Sequence, residues 1–335
     1  RPYPHLGITG PHCHEPSSNV RTKMDTKQKI ERLLTDQLSA WELAGNNYAA
    51  LARIKVKDLN VNGMHYKVQF NPARIVSSAA KVDAQSIQER KCFLCPANLP
   101  AMQRGIPFKD NYQILINPFP IFPKHLTVPA LEHVDQRIKK RFGDMLDLAA
   151  IAEDYIVFYN GPKCGASAPD HAHFQAGNKG FLPLEQEWRN KKAGKIVTYR
   201  TASLSYLDDA PRTTLVIETG NREDAIALFN LVYNAMELKP GEDEPMMNIL
   251  AWTENSQWIV CIFPRAKHRP SCYAAAGDAN ILISPASVDM GGVFITPQEK
   301  DFEKLTATDI MSILGEVCLD TDEFRKLRQR IKEQL

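Results

Sequence analysis

The sequence predicts an α+β protein with antiparallel sheets and flanking helices, arranged as two halves. Three observations carry that expectation. Short alternating or apolar runs bounded by Gly, Pro and Asn recur along the chain and read as strands: NYQILIN, KHLTVPA, YIVFYN, KIVTYR, TTLVIET, MMNILAWTE and SQWIVCIFP. Between them lie segments of helical spacing, from Met24, from Leu131 to about Glu153, from Asp224 to Leu238, and from Thr306 onward. A short echo links the halves: YQILIN…IFPKH, ending at His125, resembles MNILAW…IFPRAKH, ending at His268.

In chain order, residues 1–23 have no apolar stretch and no periodicity, so they read as neither a secretory signal nor a helix. They are expected to be an unstructured leader or an extension foreign to the fold, with Met24 the natural start. His12, Cys13 and His14 there read as adventitious metal binders at most. The helix after Met24 places Ile30, Leu33, Leu34, Leu38 and Trp41 on one stripe. IKVKDLNVNGMHYKVQF follows, two alternating arms about Asn62-Gly63, which is a hairpin signal. Residues 24–200 are expected to form the first half, and 201–335 a second half ending in helices.

Composition sets bounds. The 335 residues are 44% hydrophobic and 24% charged, as in an ordinary globular protein with a full core. A net charge of +2 supplies no global field for nucleic acid or an anionic membrane, so neither is expected as a partner. No apolar run approaches the ~18 residues of a membrane span. Seven cysteines without a regular framework favour reduced thiols or metal ligands and a cytoplasmic setting.

The chemistry is concentrated in PDHAHFQAG, residues 169–177. On a strand, His171, His173 and Gln175 point one way, while Ala172 and Phe174 point into a core. The loop before it, NGPKCGASAPD, is rich in small residues, so its backbone N–H groups can approach an anion closely. A lone histidine in a strand reads as a satisfied polar group; a row of three functional groups behind a Gly-Ser loop reads as a site. Imidazole is neutral near pH 7 and leaves readily, which suits a covalent nucleophile. Cys92-x-x-Cys95 has zinc-ligand spacing, but a structural zinc needs four ligands and no second such pair exists. The remainder must be histidines, with His125 and His133 both available, or else the thiols are merely buried. PRAKHRP places Arg265 and Lys267 beside His268 and Arg269, either for phosphate capture or as a solvated strand end. Cys164, Cys261, Cys272 and Cys318 read as packing residues, and Trp252, Trp258 and Phe263 as core.

Asn160-Gly161-x3-Gly165-x-Ser167 followed by His171-x-His173-x-Gln175 resembles the active-site strand of the histidine triad superfamily. Gln in the third place resembles its transferase branch, which holds the hexose-1-phosphate uridylyltransferases, dinucleoside tetraphosphate phosphorylases and GDP-hexose phosphorylases. The resemblance is good over residues ~90–176 and loose beyond. It implies two similar halves, with His173 as nucleophile, Gln175 on the phosphoryl oxygens and His171 beside them. It also implies Asn117 as a ribose contact, Asn160, Gly161, Gly165 and Ser167 near the substrate, and a structural zinc on Cys92, Cys95, His133 and His171. The activity implied first is phosphorolysis of a nucleoside-diphosphate sugar, foremost a GDP-hexose, or of a dinucleoside polyphosphate. A uridylyltransferase is the first alternative and a non-catalytic, zinc-braced nucleotide-binding module the second. Homodimerisation is an open expectation.

Overall fold

The computed structural model describes residues 24–335; the leader, with His12, Cys13 and His14, lies outside them. Thirteen strands are present among these residues. They are β1 (Lys55–Val61), β2 (Met64–Phe70), β3 (Gly105–Phe108), β4 (Tyr112–Ile116), β5 (His125–Pro129), β6 (Tyr155–Asn160) and β7 (His173–Asn178) in the first part. The second part adds β8 (Lys192–Tyr199), β9 (Ala202–Leu207), β10 (Leu215–Thr219), β11 (Met247–Glu254), β12 (Gln257–Pro264) and β13 (Val293–Thr296).

Ten of them form one antiparallel sheet in the order β3-β4-β5-β7-β6-β11-β12-β10-β9-β8. Read inward from its two edges, the sheet gives β3, β4, β5, β7, β6 and β8, β9, β10, β12, β11. The two runs have the same topology. They meet where β6 pairs with β11, Asn160 opposite Asn248 and Val157 opposite Ala251. The helix Phe142–Ile151, between β5 and β6, has its counterpart in Arg222–Ala235, between β10 and β11. The two helices touch through Phe142 and Phe229, whose rings stack with centroids 4.0 Å apart.

The sheet separates two cores. One face packs Phe174, Ala176, Val260 and Ile262 under those helices, the first helix Thr26–Ala40 and the last, Thr321–Lys332. The other face packs Phe158, Trp252, Cys261 and Phe263 under a three-stranded sheet, β1-β2-β13, and the helix Ala307–Val317. The β1–β2 hairpin turns at Asn62 and Gly63, both at positive φ (54° and 82°), the conformation that selects this dipeptide. No helix among the described residues is long and apolar enough to cross a membrane.

Four expectations change. The echo pairs β4 with β11, whereas the topology pairs β4 with β9 and β11 with β6, so that likeness does not mark the repeat. The expected boundary at 200/201 falls inside the β8–β9 hairpin, at the outer edge of the second half. The helix expected from Leu131 begins only at Phe142. Residues 131–141 run instead as an irregular strap against the histidine segment, with Ala172 N–H on Val134 O and Gln136 N–H on Pro169 O. Val134 and Ile138 have helical spacing, but Val134 O accepts from Ala172 and Ile138 N–H donates to the Glu244 carboxyl group, so neither group is left for a helix. The histidine strand starts at His173, with His171 in the preceding turn.

Candidate active site and metal cluster

The alternation expected for the row holds for His173 and Gln175, whereas His171, before the strand, turns to the cysteines instead. Ala172 and Phe174 enter the core, and His173 and Gln175 face a cavity of ≈ 610 Å³. His173 is 7% exposed. Its Nδ1 lies 2.8 Å from the carbonyl oxygen of His171, which can only accept, so Nδ1 carries the proton and Nε2 keeps its lone pair. Burial pushes the ring down to about 4, against the pull of that carbonyl, and so holds it neutral.

Gln175 is oriented just as firmly. Ile121 N–H donates to His125 Nδ1 at 2.9 Å, which places the His125 proton on Nε2. Nε2 lies 2.8 Å from Gln175 Oε1 and donates to it, leaving the Gln175 amide N–H groups for a ligand. His125 is fully buried, and burial pushes it to about 3, so it remains a neutral donor. Gln136, from the strap, brackets His173. Its Oε1 accepts His173 N–H at 2.8 Å and its Nε2 donates to His173 O at 3.1 Å and Asn160 O at 3.0 Å.

The small-residue loop approaches from β6. Gly165 takes φ +99°, and a Cβ there would lie 2.3 Å from Ala286 Cβ, so the loop passes this point only as glycine. The N–H groups of Gly165, Ala166 and Ser167 have no hydrogen-bond partner among the described residues and stand ready for an anion. Ser167 lines the large cavity and a second one of ≈ 50 Å³. Asn117 lines the large cavity, its amide on Thr127 Oγ1 at 3.1 Å. Asn160 lines the small one; its Oδ1 accepts from Asn248 and from Ser287 N–H. Gly161 lines neither, because its N–H bonds Met247 O and a Cβ would sit 2.8 Å from that oxygen. The structure does not bring Arg265 or Lys267 to either cavity. Arg265 is 2% exposed and its donors go to Asn248 and to the backbone oxygens of Pro285, Val317, Lys267 and His268. Lys267 pairs with Glu316 on the surface.

Behind the row, the candidate ligand atoms of Cys92, Cys95, His133 and His171 lie within 4.8 Å of one another. The separations are 3.3 Å for Cys92–His171, 3.3 Å for Cys95–His133, 3.6 Å for Cys95–His171 and 3.3 Å for His133–His171. Tetrahedral thiolate and imidazole ligands around zinc are about 3.3–3.8 Å apart, so this set fits a metal. Both imidazoles present Nδ1. His171 Nε2 donates to Ala130 O at 2.7 Å, and His133 Nε2 faces Asp170 at 3.5 Å, the outer bonds that fix ligating histidines. Burial alone would raise the Cys92 thiol, but His171 and the N–H groups of Leu94 and Cys95 bring it down to about 6. His125 is outside this cluster, held to Gln175. No disulfide forms among the described residues.

Known proteins are similar to this chain in sequence and in fold. Residues 33–178 match a family described as a domain of unknown function, DUF4922, and residues 189–335 match the GDPGP1-like C-terminal domain. A curated relative is diadenosine 5',5'''-P1,P4-tetraphosphate phosphorylase 2 of Saccharomyces cerevisiae, 28% identical over 169 residues, 45% of this chain. That match spans half of the relative's length, 50%. The fold is similar to yeast Ap4A phosphorylase Apa2 in its complex with Ap4A, with TM-score 0.60, 17% identity, and coverage of 89% of this chain and 99% of that one. The complex of the same protein with AMP gives TM-score 0.58 at 19% identity, covering 89% and 98%. Each of the sequence matches covers less than half of the chain, and together they support the resemblance to the transferase and phosphorylase branch of the histidine triad superfamily.

The cavities are also lined or braced by residues that the sequence alone did not single out for this place. Gln136 was hidden in an apparent helix. His125 stood out as a histidine, but nothing in the sequence tied it to Gln175 rather than to the cysteines. Arg74, which lines both cavities, lies in a polar stretch with no motif.

Proposed function

We propose that this protein transfers a nucleoside monophosphate unit through His173 to inorganic phosphate. The substrate would be a nucleoside-diphosphate sugar, foremost a GDP-hexose, or a dinucleoside polyphosphate, with an NDP released. The observation that carries the reading is the fixed tautomer of His173, a neutral ring whose Nε2 lone pair faces the cavity. Nε2 attacks Pα, the Pα–O bond to the leaving group breaks, and its electron pair goes to the departing phosphate oxygen. An oxygen of orthophosphate then attacks Pα, the Pα–Nε2 bond breaks, and the pair returns to the ring. Throughout, Nδ1 keeps its proton and donates it to the His171 carbonyl oxygen, which stabilises the positive charge that the ring carries while bonded to phosphorus. Gln175 N–H and the loop N–H groups meet the phosphoryl oxygens, where charge develops. Gln175 has no titrating proton to offer water, which fits delivery to phosphate over hydrolysis.

The large cavity suits a nucleoside. Phe93 and Phe119, 49% and 40% exposed, line it with Leu94, Leu99 and Pro118, apolar surface that a base would cover. Zinc is the metal proposed for Cys92, Cys95, His133 and His171; bound there it would brace the strap and the turn before β7 and supply no bond-making chemistry. Such thiolates fit the reduced cytoplasm.

A substrate panel tests the function. GDP-, UDP- and ADP-hexoses and diadenosine tetraphosphate are each incubated with and without phosphate. NDP release that requires phosphate is expected. Exchange between sugar phosphates without NDP would indicate a uridylyltransferase, and binding without turnover would indicate a non-catalytic module; either outcome would overturn the proposal.

A further inference from the structure

The ≈ 50 Å³ cavity adjoins the large one, sharing Arg74, Ser77, Ala80, Ser167 and Gln175 with it. Its far wall comes from the second half: His268, Arg269, Ser284 and Ala286. We infer that this cavity seats the phosphoryl group that leaves or enters the reaction, the leaving group's proximal phosphate and then orthophosphate, held by Arg74, His268 and Arg269. The inference rests on the proposed transfer through His173.

Charge is the first reason. Arg74 and Arg269 are both partly buried, and neither pairs with a carboxylate among the described residues. Arg74 donates Nη1 to Phe119 O at 2.9 Å, and its Nε and Nη2 have no partner among those residues. Arg269 uses Nε on Ser284 Oγ and Nη2 on Ala80 O, leaving Nη1. Cations withdrawn from water without a counter-charge are costly, and an anion shared between two guanidinium groups offsets that cost. The one carboxylate in the lining, Asp289, has its oxygens on the N–H groups of Ala286 and Ile295.

Unused donors are the second reason. No hydrogen bond to a described residue engages either His268 ring nitrogen, and the Asn160 amide N–H groups are likewise unclaimed. Burial, with Arg269, Arg265 and Lys163 nearby, pushes His268 down to about 3, so the empty site holds a neutral imidazole. A bound dianion would reverse that.

Chemistry is the third. Both half-reactions pass through one nucleotidyl-His173, so the incoming phosphate must occupy the place the leaving phosphoryl vacates. A single anion seat beside Gln175 meets that requirement. It also reassigns the PRAKHRP segment: Arg265 ties the turn together from inside, and the next residues face the ligand.

The test uses the full chain and its Arg74→Gln and His268→Asn variants, with melting temperature and metal content as controls of folding. The nucleotidyl adduct is formed without phosphate, and its decay is then followed against phosphate concentration, each variant's phosphate-free decay serving as its own reference. Half-saturation by phosphate is expected to rise about tenfold or more in each variant. Calorimetric titration of resting protein with inorganic tripolyphosphate should show the same loss, and the His268 ring C–H proton resonances should move downfield, to their protonated positions, on binding in wild type. Unchanged phosphate saturation with unchanged tripolyphosphate affinity in both folded variants would overturn the site. If no adduct forms on His173 but tripolyphosphate binding still depends on Arg74 and His268, the transfer mechanism fails and the anion site stands.

Discussion

Strands β7 and β12 occupy the same place in the two halves of the sheet, yet they differ on one face. On the helix side they are alike: Phe174 and Ala176 on β7, Val260 and Ile262 on β12, all in one core. On the opposite side β12 presents Ile259, Cys261 and Phe263, buried in the second core. There β7 presents His173 and Gln175 to a cavity. One topology thus supports two uses of the same surface. The second half fills it with apolar side chains, and the first leaves it open and lines it with polar ones. The pairing of β6 with β11 then lets the filled half hold the open one rigid.

Removing the imidazole should break the contrast most severely. His173→Ala is expected to lower kcat by about three orders of magnitude or more while nucleotide binding persists, since no other group in the row can form the intermediate. Steady-state turnover, nucleotide titration and mapping of the trapped adduct check this. An adduct elsewhere, or full activity in the variant, would sink the mechanism.

The metal cluster is the next largest effect and has no counterpart in the second half among the described residues. Purified protein is expected to carry about one zinc per chain. Cys92→Ser with Cys95→Ser should lose it along with about 3 kcal/mol or more of stability. His171→Ala should also lose metal, with a smaller fall in turnover than His173→Ala. Elemental analysis beside thermal melts decides; metal-free wild type from metal-replete cells, with no stability loss in the double variant, would refute it.

A paired substitution sharpens the comparison further. Phe263→Leu on β12 should cost about 1–1.5 kcal/mol in urea unfolding and leave kcat within about twofold. Gln175→His on β7 should leave stability nearly unchanged and move products from NDP towards NMP, because a third imidazole can serve water. Stability and product ratios that respond together in both variants would show that the two faces are not separate in function.

What was legible in the sequence follows the same division. His173 and Gln175 could be placed because strand alternation is local, and Cys92-x-x-Cys95 because ligand spacing is local. Trp252 and Phe263 were read as core, and both are buried. Contacts made across the fold left no such trace. Val134 and Ile138 mimicked a helix because periodicity says nothing of a backbone that bonds to residues 169–172 and to Glu244. Arg265, Lys267, His268 and Arg269 could not be told apart as phosphate ligands, because a charge run does not reveal that Arg265 is spent on carbonyl oxygens and Lys267 on Glu316. The repeat itself is visible in strand order and not in the short sequence echo, since one topology tolerates different residues on its filled and open faces.

The smallest effect concerns how the second half grips the first. Glu244, in the acidic turn before β11, accepts Tyr159 O–H at 2.5 Å and Ile138 N–H at 2.8 Å, and so pins the strap that carries His133 and Gln136. Burial pushes its carboxyl from 4.5 up to about 7, against the pull of Tyr159 and of Ile138 N–H. A carboxyl whose pKa is raised by folding keeps its proton in the native state after the unfolded chain has lost it. Its contribution to stability is therefore whole below about pH 4.5 and is lost as pH rises through about 7, a change of up to ~3 kcal/mol. Glu244→Gln cannot ionise, so although it sacrifices one acceptor it should lack this part of the pH slope. Urea unfolding of both proteins at pH 5 and pH 8 isolates the group, because every other titration is common to the two. Wild type should lose more stability than the variant between those values, by as much as ~3 kcal/mol. Parallel slopes would mean that Glu244 is ionised in the folded protein at pH 5, and that its hold on the strap is a charged clamp instead of a protonated one.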